Sequence, residues 1–321
     1  MKKDLKEAIS WLEKILGNHS FQISPLRQEA SERSYFRITL KNDSYVLMNN
    51  FGSKENAANF IKIQKILKDE KVNVPDIFGF SDELDYLLLE DLGDITLDEY
   101  DELSEEDFLN IASVELEKIR SIPNFSIEEN ISPEIHYSQT EEFLNFFYDK
   151  KIDISSEEKL LIEELRNSIS SKLAEQAIVP THFDYERRNM IFYNDKIHII
   201  DFQDLKSGPI SMDAASLIFE HKFNYSEELV NRFSKRLIGD DLQTEIYVAL
   251  AHRSMRIIGT FNRYFKEGKL LNRQKDISLF VDRLLLALRY LNEKEALKVV
   301  CLLYTSPSPR DISGSRMPSS A

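Results

Sequence analysis

The stretch THFDYERRNMIFYNDKIHIIDFQD, residues 181–204, decides how the rest of the chain is read. Its two short apolar runs, NMIFYN and IHIID, are separated by Asp195 and Lys196, the pattern of a two-stranded hairpin with polar ends. That reading puts Asp184 and Asn189 just before the first strand and Asp201 at the end of the second. Strand ends of one hairpin lie close together. Converging carboxylates repel one another and are costly to desolvate, so a hard divalent cation such as Mg2+ is the natural occupant, with Asn189 as a neutral oxygen ligand. Asp184 then remains available to accept a proton from a hydroxyl.

Upstream, SFQISPL, SYFRITL and YVLMNN are short runs rich in aromatic and β-branched residues, and KNDS between the last two is turn chemistry. NAANFIKIQKILKDE has helical spacing through Phe60, Ile63, Ile66 and Leu67, and a second hairpin follows, ending in YLLLED before Gly93. Leu5, Ile9, Leu12, Ile15 and Leu16 form a helical stripe at the start. Beyond Gly93 the pattern is mostly helical. Ser104 with Asp107 makes a capping-box-like start for SEEDFLNIASVELEKI, SSEEKLLIEELRNSISSKLAEQ is a longer amphipathic helix, and four further helical patterns follow the hairpin. The expected fold is α+β: a small antiparallel-sheet lobe over 1–93 and a larger, mainly helical lobe over 94–303.

The 55 acidic and 41 basic residues give a formal charge of −14, and no basic patch is concentrated enough for a phosphate backbone, so a nucleic-acid partner is not expected. No run of roughly eighteen or more apolar residues and no signal-peptide pattern occurs, so neither a membrane span nor export is expected, and a soluble cytoplasmic protein is. The single cysteine, Cys301, supports no internal disulfide or thiolate cluster. Residues 304–321, TSPSPRDISGSRMPSSA after Tyr304, break sharply from the helical pattern before them. CLLYTSPSPRD is similar to translated sequencing adapter, so this tail is expected to be non-native or disordered.

The spacing His182-x-Asp184-x4-Asn189, with Asp201 after an apolar strand, resembles the catalytic and metal-binding segments of protein-kinase-like phosphotransferases. The larger frame, HFDYERRN, IIDFQD and GPISMDAASL, is similar to the aminoglycoside-phosphotransferase-like branch, and within it to the anomeric kinases of N-acetylmuramate and N-acetylglucosamine. QEASERSYFRI, YVLM and LLLEDLG extend the similarity, so it covers roughly residues 20–300.

That resemblance implies a two-lobed kinase fold, ATP and Mg2+ as cofactors, and a small amino-sugar acceptor in cell-wall sugar recycling. Asp184 is implied as the base that accepts or orients the acceptor hydroxyl, Asn189 and Asp201 as Mg2+ ligands, His182 as a brace of the catalytic loop and Asp213 as its support. Arg188, beside Asn189, matches the subgroup pattern; with Arg187 it either neutralises phosphate or pairs with Glu186. Ser31 and Ser34 fall where the family places its phosphate loop, and the backbone at Glu90, Asp91 and Leu92 falls at the adenine hinge. Met48 stands where the wider kinase pattern has a phosphate-pairing lysine. The relatives read apolar there too, and Arg33, Arg37 and Lys54 are candidates for the cation.

Other readings stay open beside these. Asp213 could cap a helix, and Asp204 could touch acceptor or metal or merely close a turn. His252, Arg256 and Arg263 lie on a helix near the family's acceptor site, or form a solvated face. EEFLNFFYDK reads as core packing or sugar stacking. Rival functions are a kinase of an aminoglycoside or other metabolite, a metal hydrolase using His182, Asp184, Asp201 and Asp204, or a nucleotide-binding pseudokinase, for which Met48 speaks. No oligomeric state follows.

Overall fold

Alternation along SYFRIT and SYVLMN gives each strand one face for a helix and one for the opposite side of the sheet. In the computed structural model these become β2 (Ser34–Thr39) and β3 (Ser44–Asn49), paired antiparallel so that Phe36 faces Leu47 and Arg37 faces Val46. β1 (Gln22–Pro25), β4 (Ile77–Phe80) and β5 (Tyr86–Glu90) complete a five-stranded antiparallel sheet in the order β1-β2-β3-β5-β4. The structure describes residues 2–17, 20–26, 34–50, 54–100, 102–123, 132–220, 225–240 and 242–305. Ser31, Arg33, the side chains of Leu5 and Lys54, and the tail beyond 305 lie outside what is described.

The chain divides into two compact units, Met1–Asn130 with Ile178–Gly208, and Ile131–Ala177 with Pro209–Ala321. In the first, helix α1 (Lys2–Ile15) lays Ala8 and Leu12 on the sheet face formed by Ile38, Leu47, Tyr86 and Leu88. Each of those side chains is almost wholly withdrawn from water, at roughly 1.5–3 kcal/mol for a large apolar group. The opposite face carries Tyr35, Arg37, Val46, Met48, Leu87 and Leu89 by the same register. Helix α2 (Lys54–Asp69) is inserted between β3 and β4 and buries Phe60, Ile63 and Leu67.

Helix α3 (Glu105–Ser121) starts at Ser104, whose hydroxyl accepts the Asp107 N–H at 3.1 Å. The same unit holds the short pair β6 (Ile178–Thr181) and β9 (Lys206–Pro209) and the hairpin β7 (Met190–Tyr193) and β8 (Lys196–Ile199).

The second unit is helical: α4 (Pro133–Gln139), α5 (Phe143–Asp149), α6 (Ser156–Ala174), α7 (Ser211–Ile218), α8 (Glu227–Ile238), α9 (Gln243–Lys266), α10 (Asp276–Tyr290) and α11 (Lys294–Thr305). Ser155 and Glu158 form a reciprocal capping box at the start of α6. Among the described residues five α-helices follow the hairpin, against the four helical patterns expected; the short α7 is buried on every side and so shows no amphipathic period. α9 packs against α5, α6, α7, α8 and α10, and Gly259 on it lets the Glu142–Phe143 backbone approach to within 3 Å of where a Cβ would sit. α5 lies wholly within EEFLNFFYDK, with Phe143, Phe146 and Phe147 buried as core. Among the described residues no helix is long and apolar enough to cross a membrane.

Candidate active site

The hairpin begins the site. Met190 pairs with Ile199 and Tyr193 with Lys196, and the turn residues Asn194 (φ 49°) and Asp195 (φ 60°) both take the left-handed backbone of a tight hairpin turn. Asn and Asp tolerate that conformation better than other non-glycine residues. Pairing continues one step past the strands, with the Ile200 N–H donating to the Asn189 carbonyl at 3.0 Å. Asn189 and Asp201 therefore flank one end of the hairpin.

The loop before β7 is closed by its own polar groups. Asn189 Nδ2 donates to the Asp184 carbonyl at 2.8 Å, and the Asn189 N–H donates to the Glu186 carbonyl at 2.9 Å. The buried His182 has Nε2 at 3.1 Å from the Ile200 carbonyl, while its Nδ1 accepts the Asp184 N–H at 3.4 Å. Those partners set the Nε2–H tautomer and join the loop to the end of β8. Tyr185, fully buried, donates its hydroxyl to the Ala112 carbonyl of α3 at 2.8 Å, and the Arg187 guanidinium lies 3.8 Å over the Phe108 ring. Arg188 Nε pairs with the buried carboxylate of Glu186.

Phe183 takes a positive φ of 71°, which turns the chain between His182 and Asp184. The turn needs a glycine beside it: a Cβ on Gly208 of β9 would stand 2.6 Å from Phe183 Cζ and 3.1 Å from Thr181 Oγ1. Asp184 itself is half-buried.

At the other strand end Asp201 is exposed and left-handed (φ 60°, ψ 32°). The Gln203 side-chain nitrogen donates to Asp201 Oδ1 at 2.9 Å and reaches Asp204 Oδ2 at 3.4 Å, so one amide spans both carboxylates. This turn is anchored on α2, where Asn59 Nδ2 donates to the Gln203 carbonyl at 2.6 Å and the Phe60 and Phe202 rings lie 4.7 Å apart. Sequence reasoning passed over Gln203 and Asn59. Gln203 lies between the two aspartates of DFQD, which was the available signal; Asn59 had none.

After β5, Glu90 donates its N–H to the Asp76 carbonyl at 2.9 Å and its carboxylate accepts the Asp76 N–H at 3.1 Å. Asp91 turns its side chain inward to Arg37, and Leu92 is buried. Burial by itself would raise the Asp91 carboxyl, but the Arg37 guanidinium, the Gly93 N–H and the Ser44 hydroxyl together hold it below the usual carboxylate range. Arg37 is thereby committed to carboxylates instead of standing open to phosphates. Met48 is fully buried among apolar neighbours of the sheet. Ser34 opens β2 opposite Asn49, half-buried.

The remaining residues singled out lie in the second unit. Asp213 is buried in the first turn of α7, whose cap is Ile210, so it does not cap that helix. His252 is fully buried on α9, its Nε2 at 2.9 Å from the His136 carbonyl and its ring 5.3 Å from the His136 ring, edge to face. Arg256 is half-buried on the same helix, close enough to depress the basicity of both imidazoles. Arg263 is 47% exposed and ion-pairs with Glu142 at 2.9 Å, the arrangement of a solvated helix face.

The oxygen donors at the hairpin end fit a hard cation. The nitrogen of the Asn189 amide is spent on the loop, which leaves its oxygen for a ligand role, and Gln203 engages Asp201 through Oδ1, which leaves Oδ2. Two protein oxygens, with the remaining positions filled by water and phosphate, are the usual protein share in a Mg2+ site.

A family model described as the phosphotransferase enzyme family matches residues 22–247. The chain is 26% identical over 282 residues to an N-acetylmuramate/N-acetylglucosamine kinase of Neisseria meningitidis serogroup B, covering 81% of this chain and 84% of that protein. It is 24% identical over 265 residues to a protein of the same name from Pseudomonas aeruginosa, covering 77% and 78%. Among solved structures, a spectinomycin phosphotransferase in complex with ADP and spectinomycin superposes with a TM-score of 0.62 at 14% identity, covering 94% of this chain and 98% of that one. The fold is therefore the protein-kinase-like one, with an antiparallel sheet ahead of a mainly helical remainder.

Proposed function

The chain belongs to the phosphotransferase enzyme family, and from that premise we propose that it transfers the γ-phosphoryl group of ATP, with Mg2+, to the anomeric hydroxyl of N-acetylmuramate or N-acetylglucosamine. What supports the reading is the hairpin pairing that sets Asn189 beside the Ile200–Asp201 strand end, together with the Asn189 amide bond to the Asp184 main-chain carbonyl. The names and coverage of the curated relatives support the amino-sugar acceptor.

In this reading residues 1–93 form the nucleotide lobe and 94–303 the catalytic and acceptor lobe. Asp184 accepts the hydroxyl proton or holds the hydroxyl in line with the phosphorus; His182 keeps the loop in register through its two ring nitrogens. Asn189 and Asp201 would hold Mg2+, which supplies charge neutralisation to the phosphate oxygens. Glu90 to Leu92 meet adenine through their backbone, and Ser34 with Ser31 serves the phosphate loop. Arg188 is held by Glu186 beside Asn189, a position from which it orients the loop or meets developing phosphate charge. Asp213 supports the loop, while Asp204, His252, Arg256 and Arg263 are the acceptor-side candidates. Cell-wall sugar recycling in the cytoplasm is the setting this activity fits.

The test is an acceptor panel with an ATP-consumption readout and the phosphate position read by NMR. The expected result is a sugar 1-phosphate from one or both amino sugars. Turnover of an aminoglycoside in their place, hydrolysis without nucleotide, or Mg-ATP binding with no transfer to any acceptor would each replace this reading with a rival one.

A further inference from the structure

The sheet face opposite α1 presents Tyr35, Arg37, Val46, Met48, Leu87 and Leu89, and of these only Arg37 is charged. Its Nε and Nη2 bind the two oxygens of Asp91 at 2.7 and 2.9 Å, and Nη1 and Nη2 bind those of Asp94 at 2.5 and 2.8 Å. The Asp91 side chain is 5% exposed and also accepts the Gly93 N–H at 3.0 Å. One guanidinium fork thus holds two carboxylates on the segment that leaves β5. A fork of planar donors is what this geometry requires, and an ammonium cannot reproduce it.

The far end of the same segment is tied down as well. Leu97 donates its N–H to the Met190 carbonyl at 2.9 Å, and Thr96 forms an antiparallel bridge to Ile191. Leu97 is fully buried. The backbone running from Asp91 to Leu97 is therefore fixed at one end to β2 and at the other to β7, the strand that follows Asn189. A segment pinned twice behaves as a strap of set length rather than as a loose connection.

We infer that Arg37 is a positioning residue for the nucleotide: by clamping Asp91 and Asp94 it fixes the Glu90–Leu92 backbone against the sheet, at the point where that backbone would meet the base. The inference rests on the kinase reading above. It also separates Arg37 from the role of triphosphate cation, since its charge is already matched by two carboxylates.

The experiment compares the unaltered protein with Arg37→Lys, Arg37→Ala, Asp91→Asn and the double variant Arg37→Ala/Asp91→Asn. It measures kcat, KM for ATP, KM for N-acetylglucosamine, affinity for a fluorescent ADP analogue, and thermal melting. Arg37→Ala is expected to raise KM for ATP and weaken the ADP analogue by about tenfold or more, a modest share of what misplacing a binding group can cost. KM for the sugar is expected to stay within about twofold, Arg37→Lys to fall between, and the double variant to be no worse than Arg37→Ala because both remove one shared contact. Unchanged nucleotide affinity in Arg37→Ala overturns the clamp, as does a parallel rise of both KM values in step with lowered melting, or full additivity in the double variant. If the unaltered protein neither binds the ADP analogue nor turns over ATP, the kinase reading falls and the nucleotide role of Arg37 falls with it. Normal kinetics in the unaltered protein with an indifferent Arg37→Ala removes the clamp alone.

Discussion

The side-chain amide of Asn189 donates to the main-chain carbonyl of Asp184 at 2.8 Å, so the residue proposed to face the metal also shapes the loop that carries the proposed base. In the proposed site the two functions of that side chain separate by atom: the nitrogen is bound to the loop, and the oxygen would face the cation. Asp184→Asn should lower kcat by roughly 10²- to 10⁴-fold, the usual loss for a general base, without changing the Mg2+ concentration that gives half-maximal rate. Asn189→Ala should lower kcat and also move the Mg2+ midpoint upward. A Mg2+ titration at saturating ATP on both variants checks the split, and identical midpoints would remove Asn189 from the metal site.

Gln203 joins Asp201 to Asp204 through one amide nitrogen, and Asn59 of α2 holds the Gln203 carbonyl. Replacing Gln203 by Leu keeps much of the volume and removes the donor, leaving two neighbouring carboxylates to repel each other. The variant is expected to need several times more Mg2+ for half-maximal activity, with melting temperature nearly unchanged at saturating Mg2+. Asn59→Ala should give a smaller shift in the same direction. An unaltered Mg2+ midpoint in Gln203→Leu would show that its amide does not set the Asp201 carboxylate.

Gly208 gives a prediction that is read first in stability. A methyl group there meets Phe183 Cζ at 2.6 Å and Thr181 Oγ1 at 3.1 Å, so Phe183, held at φ 71°, has to move. Overpacking of this kind costs about 1–3 kcal/mol. Gly208→Ala should therefore lower stability by that order in denaturant unfolding, and because Phe183 precedes Asp184 it should reduce kcat as well. Equal stability of variant and parent would mean that the Phe183 ring relaxes freely.

The hairpin was legible because three signals agreed on it: apolar runs of strand length, turn chemistry between them, and acids at the ends. Its turn lies at Asn194 and Asp195, one residue earlier than the Asp195–Lys196 break that the apolar runs suggest. β6 and β9 carry no strand signal because each short run is broken by proline, Pro180 in one and Pro209 beside Gly208 in the other. The α9 sequence HRSMRI misled in the opposite sense. His252, Arg253 and Ser254 are consecutive polar residues yet all buried, because the middle of α9 is enclosed by other helices, and only its ends, with Arg263 at one of them, keep a solvated face. Arg37 with Asp91 could not be paired from sequence at all: the two are 54 positions apart and meet only through the β2-β3-β5 strand order.

The second unit buries two imidazoles against each other, His136 and His252, with rings 5.3 Å apart and Arg256 nearby. Burial, first, and the positive charge of Arg256 hold His136 down to about 4; burial, then His136, then Arg256 hold His252 down to about 3. Both values lie below the ordinary 6.5, so between about pH 6.5 and about 4 the unfolded chain binds protons that the folded chain does not. Stability therefore rises with pH across that window and is lost as pH falls through it, by at most about 1.4 kcal/mol per pH unit for each proton of difference. Below about 3 both states are protonated at these sites and the contribution levels off. Melting temperatures between pH 7.5 and pH 4 should fall steeply in the unaltered protein, and His136→Phe, which keeps a ring and removes one titration, should flatten the slope. A slope unchanged by His136→Phe would assign the acid sensitivity to the carboxylates instead.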